Sequence, residues 1–202
     1  MRLYHSPASP FVRKVMMLLH ETNQIGAVEI VAASGTAVAP GTMPVTHNPL
    51  GKIPALERPD GPALYDSRVI CRYLDDHGGG ILYPKGNRLW DVLTVEATAD
   101  GIMDAAILMV YEGRVRPEQY QYPVWVDAQW QKISRAIDVL NNRWISHLAG
   151  PLNMGQIAVA CALGYIDFRL PERDWRAQNP DLAAWFADFS NRDSFQATIP
   201  TG

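Results

Sequence analysis

A chain of 202 residues is long enough for two small domains or one large one, and its 48% apolar and 19% charged residues are typical of a globular protein. A net charge of −3 without a Lys/Arg-rich block argues against binding to nucleic acid or to a membrane surface. The longest apolar run, 157–166, is too short to span a bilayer, and the N-terminus has no signal-peptide pattern. The two cysteines, Cys71 and Cys161, lie far apart in the sequence, which predicts reduced thiols and a cytoplasmic location.

The first part of the chain, residues 1–77, alternates between strand and helix patterns. Strands are predicted at 2–5, 28–33, 53–57 and 62–66, and helices at 11–23 and 67–77. The segment 34–50 is rich in Gly, Pro, Thr and Asn, so any helix there is expected to be brief or irregular. Asp60-Gly61 predicts a hairpin turn. The order β-α-β-α-β-β-α needs both a parallel and an antiparallel pairing, so we expect a mixed four-stranded sheet.

The rest of the chain shows helical patterns only. Helices are predicted at 88–113, 117–147, 154–170 and 180–190, from periodicity and from breaks at Gly, Pro and Asn. Asn153, three residues before Gln156, has the spacing of a capping box for the third of these helices. The composition therefore predicts a small α/β domain at 1–77, a Gly-rich linker at 78–87 and an all-α domain at 88–202.

Four motifs occur in the order and spacing of one known family. They are SPFVRKV at 9–15, NPLGKIPAL at 48–56, LYDS at 64–67 and IAVACALGYIDF at 157–168. Together with the domain order, they resemble the cytosolic glutathione S-transferases, and in particular a bacterial member of the serine type. The resemblance covers essentially the whole chain. It implies an N-terminal thioredoxin-like domain that binds glutathione, followed by an all-helical domain.

The resemblance also implies a set of glutathione-binding residues, namely Phe11, Lys52, Ile53, Pro54, Asp66 and Ser67. Pro54 would be cis, which turns the backbone N–H and C=O of Ile53 towards the cysteinyl main chain of the ligand. Ser67 would hold the γ-glutamyl carboxylate and Asp66 the amino group, although the family usually carries Glu where Asp66 stands. Lys52 would pair with the glycyl carboxylate. Considered locally, Asp66 and Ser67 are also ordinary helix caps, and Lys52 is an ordinary surface residue.

The resemblance implies that Ser9 is the catalytic residue, because it directly precedes the Pro-Phe pair that opens the helix, as in the serine-type members. A hydroxyl at a helix N-terminus can donate a hydrogen bond to a thiolate beside the positive end of the helix. A free thiol has a pKa near 8.5, so a lowering by about two units makes the thiolate the main species near pH 7. Ser6 is the alternative, and Tyr4 remains a third candidate. Considered locally, Ser9 before Pro10 is also a typical N-cap. Residues 1–70 lack cysteine, which argues against thiol–disulfide chemistry.

The helical domain is expected to provide a pocket for a small hydrophobic electrophile. The candidate lining residues are Met103, Ile107, Val110 and Tyr111. Their helical spacing is also typical of an ordinary core. The family forms homodimers, so we expect a homodimer in which Asp100 or Asp104 reaches the glutathione of the other subunit.

The predicted function is therefore transfer of the glutathione thiolate to a hydrophobic electrophile, with glutathione as co-substrate and without a metal. Two alternatives remain open. One is a non-catalytic glutathione-binding or protein-interaction module of the same fold, and the other is a glutathione-dependent isomerase, dehalogenase or peroxidase. The five histidines are scattered without the spacing of a metal site, and no phosphate-binding loop is present.

Overall fold

The computed structural model describes all 202 residues and divides the chain into two units. Residues 1–84 and 193–202 form one, which we call the sheet unit, and residues 85–192 form the other, which we call the helical unit. The predicted boundaries at 77 and 88 therefore need two corrections. Residues 78–84 belong to the sheet unit, and so do the last ten residues of the chain.

The sheet unit is built on four strands, β1 (Arg2–His5), β2 (Glu29–Ala32), β3 (Ala55–Arg58) and β4 (Gly61–Leu64). Their order across the sheet is β2-β1-β3-β4. β1 runs parallel to β2 and antiparallel to β3, and β3 is antiparallel to β4, which confirms the mixed thioredoxin-like sheet. The helices α1 (Pro10–Glu21) and α2 (Ser67–His77) follow β1 and β4.

The brief or irregular helix expected between β2 and β3 does not form. This part of the chain contains turns and one isolated bridge between Thr36 and Ala39. Gly41 has a φ of +53°, and a Cβ there would lie 2.5 Å from the carbonyl oxygen of Ser34. Such a conformation interrupts a right-handed helix, and the prolines of the segment remove donors that a helix needs.

Two contacts explain why the sheet unit extends beyond residue 77. The carboxylate of Asp75, which is buried, accepts hydrogen bonds from the backbone N–H groups of Ile81, Leu82 and Tyr83, at 2.8–3.1 Å. The Gly-rich stretch is thereby attached to the end of α2. At the other end of the chain, α8 (Asp193–Gln196) returns to α1, where the hydroxyl of Ser194 donates to Glu21 Oε1.

The helical unit contains α3 (Arg88–Val115), α4 (Pro123–Val139), α5 (Ile145–Leu148), α6 (Met154–Arg169) and α7 (Pro180–Phe189). The helix predicted at 117–147 is shorter and broken. It begins at Pro123, because a proline suits the first helical position and holds Tyr122 before it in an extended conformation, with φ −120° and ψ 91°. A π-helical turn at Leu140–Trp144 separates α4 from α5. None of the helices combines the length and the apolar character that a membrane-spanning segment requires.

α6 forms the centre of the helical unit, with residues 154–166 all buried. Asn153 caps it, since its Oδ1 accepts from the N–H groups of Gly155 and Gln156 at 3.0 and 3.3 Å. The second half of the predicted capping box is absent. The side-chain amide of Gln156 donates instead to the carbonyls of His147, Gly150 and Pro151, the nearest at 2.9 Å.

Candidate functional site

Three chain segments meet at one edge of the sheet. Tyr4 of β1 pairs with Ala55 of β3, and Leu56 of β3 pairs with Leu64 of β4. Because both pairings are antiparallel, the end of β1, the start of β3 and the end of β4 lie at the same edge. Neighbouring strands are about 4.8 Å apart, so the three segments span about 10 Å. The turn after β1, the Ile53-Pro54 pair and the start of α2 therefore form one candidate site.

Ser9 ends the turn after β1 and caps α1. Its Oγ accepts a hydrogen bond of 3.3 Å from the N–H of Val12, and its carbonyl accepts from the N–H of Arg13 at 3.0 Å. A hydroxyl has one proton and two acceptor positions, so accepting this bond leaves the proton available to another group. The N-cap role and the thiolate-binding role expected for Ser9 are therefore compatible. Ser6, the alternative, begins the same turn and accepts from the Ser9 N–H through its carbonyl at 3.1 Å.

The Ile53–Pro54 peptide bond is cis, as the sequence analysis expected. Ile53 is partly exposed and Pro54 is buried directly before β3. The loop leading to them is shaped by Asn48, which is 2% exposed. Its Nδ2 donates to the carbonyl of Lys52 at 2.8 Å, and its Oδ1 accepts from the N–H of Leu50 at 3.0 Å. Asn48 is not among the site residues predicted from the sequence, although an Asn-Pro pair is a typical turn signal.

The start of α2 presents Asp66 and Ser67. Asp66 is exposed and acts as the N-cap, accepting from the N–H of Arg68 at 3.0 Å through Oδ1. Ser67 is the first helical residue and is only 2% exposed. The first N–H groups of a helix have no partner within the helix, so this position is suited to an anion. The capping role of Asp66 uses one oxygen and does not prevent a ligand contact.

Tyr4 makes a hydrogen bond and a ring contact on the face of the sheet that carries Glu57. Its hydroxyl donates a 2.6 Å hydrogen bond to Glu57 Oε1, and its ring stacks on His47 with the centroids 5.4 Å apart. Arg2 Nη1 and His47 Nε2 lie 3.2 and 3.5 Å from the same oxygen. The hydrogen bond raises the pKa of Tyr4 and lowers the pKa of Glu57. Because the Tyr4 hydroxyl already donates its proton to the Glu57 carboxylate, this arrangement favours Ser9 over Tyr4 as the group that donates a hydrogen bond to a thiolate.

The remaining predicted residues of the sheet unit lie around these segments. Phe11 is partly exposed in the first turn of α1, and Lys52 is exposed beside Ile53. His5, the last residue of β1, also lies at this edge of the sheet and is not among the predicted site residues. Burial lowers the pKa of His5 and so favours its neutral form at the same edge of the sheet.

The residues predicted in the helical unit are spread over different environments on α3. Met103 is fully buried, whereas Ile107, Val110 and Tyr111 are partly exposed. Asp100 is fully buried and Asp104 is exposed. A pocket role for the first four residues stays a prediction, as does a role of either aspartate towards a second subunit. No group of three or more His, Cys, Asp or Glu side chains is arranged to hold a metal ion.

A thioredoxin-like unit with a mixed four-stranded sheet, followed in the chain by an all-helical unit, defines a class of two-domain proteins. Two family models match this chain: the glutathione S-transferase N-terminal domain over residues 3–80 and the glutathione S-transferase C-terminal domain over residues 123–188. The chain therefore belongs to the glutathione S-transferase family.

Similar proteins extend over the full length of the chain. A glutathione transferase family member from Pseudomonas fluorescens Pf-5, solved with bound glutathione, is 48% identical, with a TM-score of 0.97 over 100% of this chain and 99% of that chain. A structure from the same organism with bound S-(propanoic acid)-glutathione is also 48% identical, with a TM-score of 0.92 over 99% of both chains. The uncharacterized GST-like protein YibF of Escherichia coli (strain K12) is 33% identical, over 99% of this chain and 98% of its own length.

Proposed function

We propose that this chain is a glutathione S-transferase that binds glutathione at the described edge of the sheet and transfers its thiolate to a small hydrophobic electrophile. The observation that carries this proposal is the convergence of Ser9, the Ile53-Pro54 pair and the buried Ser67 at that edge. A tripeptide in an extended conformation spans about 10 Å, which matches the width of the three strands.

Each part of glutathione has a partner in this arrangement. The backbone N–H and C=O of Ile53 pair with the cysteinyl main chain in the manner of an added strand. The γ-glutamyl carboxylate lies at the start of α2, where Ser67 offers a hydroxyl and a backbone N–H. Asp66 faces the amino group and Lys52 faces the glycyl carboxylate. Glutathione bound to the 48% identical protein of Pseudomonas fluorescens Pf-5 supports this assignment.

The chemistry is activation of the bound thiol. The thiol loses its proton to solvent, and the Ser9 hydroxyl donates a hydrogen bond to the sulfur, beside the positive end of α1. The thiolate then forms a carbon–sulfur bond with the electrophile, and either a leaving group departs or the carbanion formed from an activated alkene takes up a proton. The S-(propanoic acid)-glutathione bound to the relative is a thioether of this kind, which supports a site that accepts an S-substituted glutathione.

An ultraviolet titration of the bound thiol tests the proposal, with glutathione affinity measured by calorimetry on the same samples. Wild-type protein is expected to lower the thiol pKa by about two units, and Ser9→Ala is expected to restore it while the affinity changes little. Ser6→Ala in the same turn is the matched control and should leave the thiol pKa low. Binding with an unshifted thiol pKa would indicate a binding module, and absence of binding would overturn the assignments of Ile53, Asp66 and Ser67 together.

The homodimer is part of the same proposal. Asp104, which is exposed, is the better placed of the two aspartates to approach a second subunit, because Asp100 is fully buried. Sedimentation equilibrium distinguishes monomer from dimer. A purely monomeric chain with full transferase activity would contradict any contribution from a second subunit.

A further inference from the structure

The last helix of the chain packs along the first one. After the helical unit, α8 returns to the sheet unit and contacts α1 at two points. The hydroxyl of Ser194 donates to Glu21 at the end of α1, and the carbonyl of Phe195 accepts from the side chain of Arg13 in its first turns. Residues of the C-terminal segment, 193–202, therefore support the helix that Ser9 caps.

Arg13 makes several contacts with this segment. Its side chain is only 5% exposed, and its Nη2 donates to the Phe195 carbonyl at 3.1 Å while its Nε lies 3.4 Å from the hydroxyl of Thr198. The guanidinium also lies over the ring of Phe195, 4.0 Å from the centroid. A planar group with several donors suits this combination of stacking and forked hydrogen bonding, which a lysine cannot reproduce.

The backbone of Arg13 is also hydrogen-bonded to the candidate site. Its N–H donates to the carbonyl of Ser9 at 3.0 Å, which is the first hydrogen bond of α1. A displacement of Arg13 therefore displaces the turn that holds the Ser9 hydroxyl. Displacements of about 1 Å in a catalytic group reduce rates by about a hundredfold, so support for this turn has a functional consequence.

We propose that Arg13 is a positioning residue for thiol activation: held by Phe195 and Thr198 of the C-terminal segment, it sets the first turn of α1 and with it the direction of the Ser9 hydroxyl. This inference rests on the proposed function, since it concerns the thiolate that Ser9 is proposed to stabilise. Arg13 itself acts through Ser9 and the backbone of α1.

The test compares full-length variants by the pKa of the bound glutathione thiol, by glutathione affinity and by the free energy of unfolding. Arg13→Gln removes the guanidinium and keeps a long polar side chain, and Arg13→Lys keeps the charge. Arg135→Gln, the same change at an exposed position of α4, is the matched control. Thr198→Val removes one acceptor of Arg13 with little change of shape, so a folded variant is available even if Arg13→Gln does not fold.

Arg13→Gln is expected to raise the bound-thiol pKa by about one unit, a tenfold fall in the acid dissociation constant of the thiol, with glutathione affinity within about threefold of wild type. Arg13→Lys and Thr198→Val should give smaller rises, and Arg135→Gln none. If the wild-type thiol pKa is low and every variant keeps it low, whatever its stability, the positioning role is overturned and the proposed function stands. If the wild type itself leaves the thiol pKa unshifted, the proposed function fails and this inference fails with it.

Discussion

The backbone N–H of Val12 donates a hydrogen bond of 3.3 Å to the Oγ of Ser9, so the hydroxyl of Ser9 is an acceptor towards its own helix. Its proton remains available for a thiolate on the other side. Helix capping and thiolate stabilisation therefore use different parts of one hydroxyl. Substitution can separate the two roles.

Ser9→Asp is expected to keep the cap and lose the activation. Aspartate caps a helix as well as serine does, so the free energy of unfolding should stay within about 0.5 kcal/mol of wild type. A carboxylate accepts hydrogen bonds and repels a thiolate, so the pKa of the bound thiol should return to its free value or above. Ser9→Thr retains both roles and serves as the control. Urea denaturation and ultraviolet titration measure the two effects, and a low thiol pKa in Ser9→Asp would contradict donation by Ser9.

Asn48→Ala is expected to destabilise the conformation of the loop that carries Ile53. The substitution leaves the Lys52 carbonyl and the Leu50 N–H without their side-chain partner, which costs about 1–3 kcal/mol in the free energy of unfolding. Glutathione affinity should fall about tenfold, because the backbone next to Ile53 is no longer held. Asn142→Ala removes an exposed Asn-to-carbonyl bond and one acceptor of the Asn141 amide, both in the helical unit, and is the control for glutathione affinity. If Asn48→Ala binds glutathione with wild-type affinity, the conformation of this loop does not contribute to glutathione binding.

Tyr4→Phe tests the Tyr4–Glu57 hydrogen bond through its pH dependence. The bond lowers the pKa of Glu57 and raises the pKa of Tyr4, so the stability that it adds is present at neutral pH. That stability is lost as the pH falls through the lowered pKa of Glu57, and again as the pH rises through the raised pKa of Tyr4. The difference between wild type and Tyr4→Phe at pH 7 should be about 1 kcal/mol, since the pair is only partly buried.

Denaturation of both proteins between pH 3 and pH 8 measures the acid side of this profile. A difference that stays constant down to pH 3 would show that the Glu57 carboxylate is not the source of the effect. The catalytic activity of Tyr4→Phe at pH 7 should remain close to that of wild type, because the Tyr4 hydroxyl donates to Glu57 and not to the bound thiolate.

Gln156→Ala is expected to destabilise the helical unit by about 2 kcal/mol. The side-chain amide of Gln156, at a residue only 4% exposed, donates to three carbonyls of the turn before α6, and alanine leaves those carbonyls without this donor. Gln178→Ala, at an exposed position, should change the free energy of unfolding by less than about 0.5 kcal/mol. Equal effects of the two substitutions, measured by urea denaturation, would exclude a structural role for the Gln156 amide.

Errors in the predicted elements have local physical causes. The helix predicted to begin at residue 117 begins instead at Pro123. The residue before a proline prefers an extended backbone, so the helix does not extend back through Tyr122. The segment between β2 and β3 remains irregular because glycines with positive φ and several prolines interrupt any helix. The linker at 78–87 is partly bound by Asp75, since a buried carboxylate needs the N–H donors that this stretch offers.

The family resemblance implied the cis Ile53–Pro54 bond, and the order of the elements implied the mixed sheet. Local chemistry in the sequence determined the kinds of element, their order and the cap at Ser9. These features depend on neighbours within a few residues, because turns, caps and periodic faces are short-range properties. Only the tertiary structure decided that the Tyr4 hydroxyl donates to Glu57 and that Phe195 lies against Arg13. Arg13 and Phe195 are 182 residues apart in the sequence, and such contacts follow from packing two distant segments against one another, which no local pattern encodes.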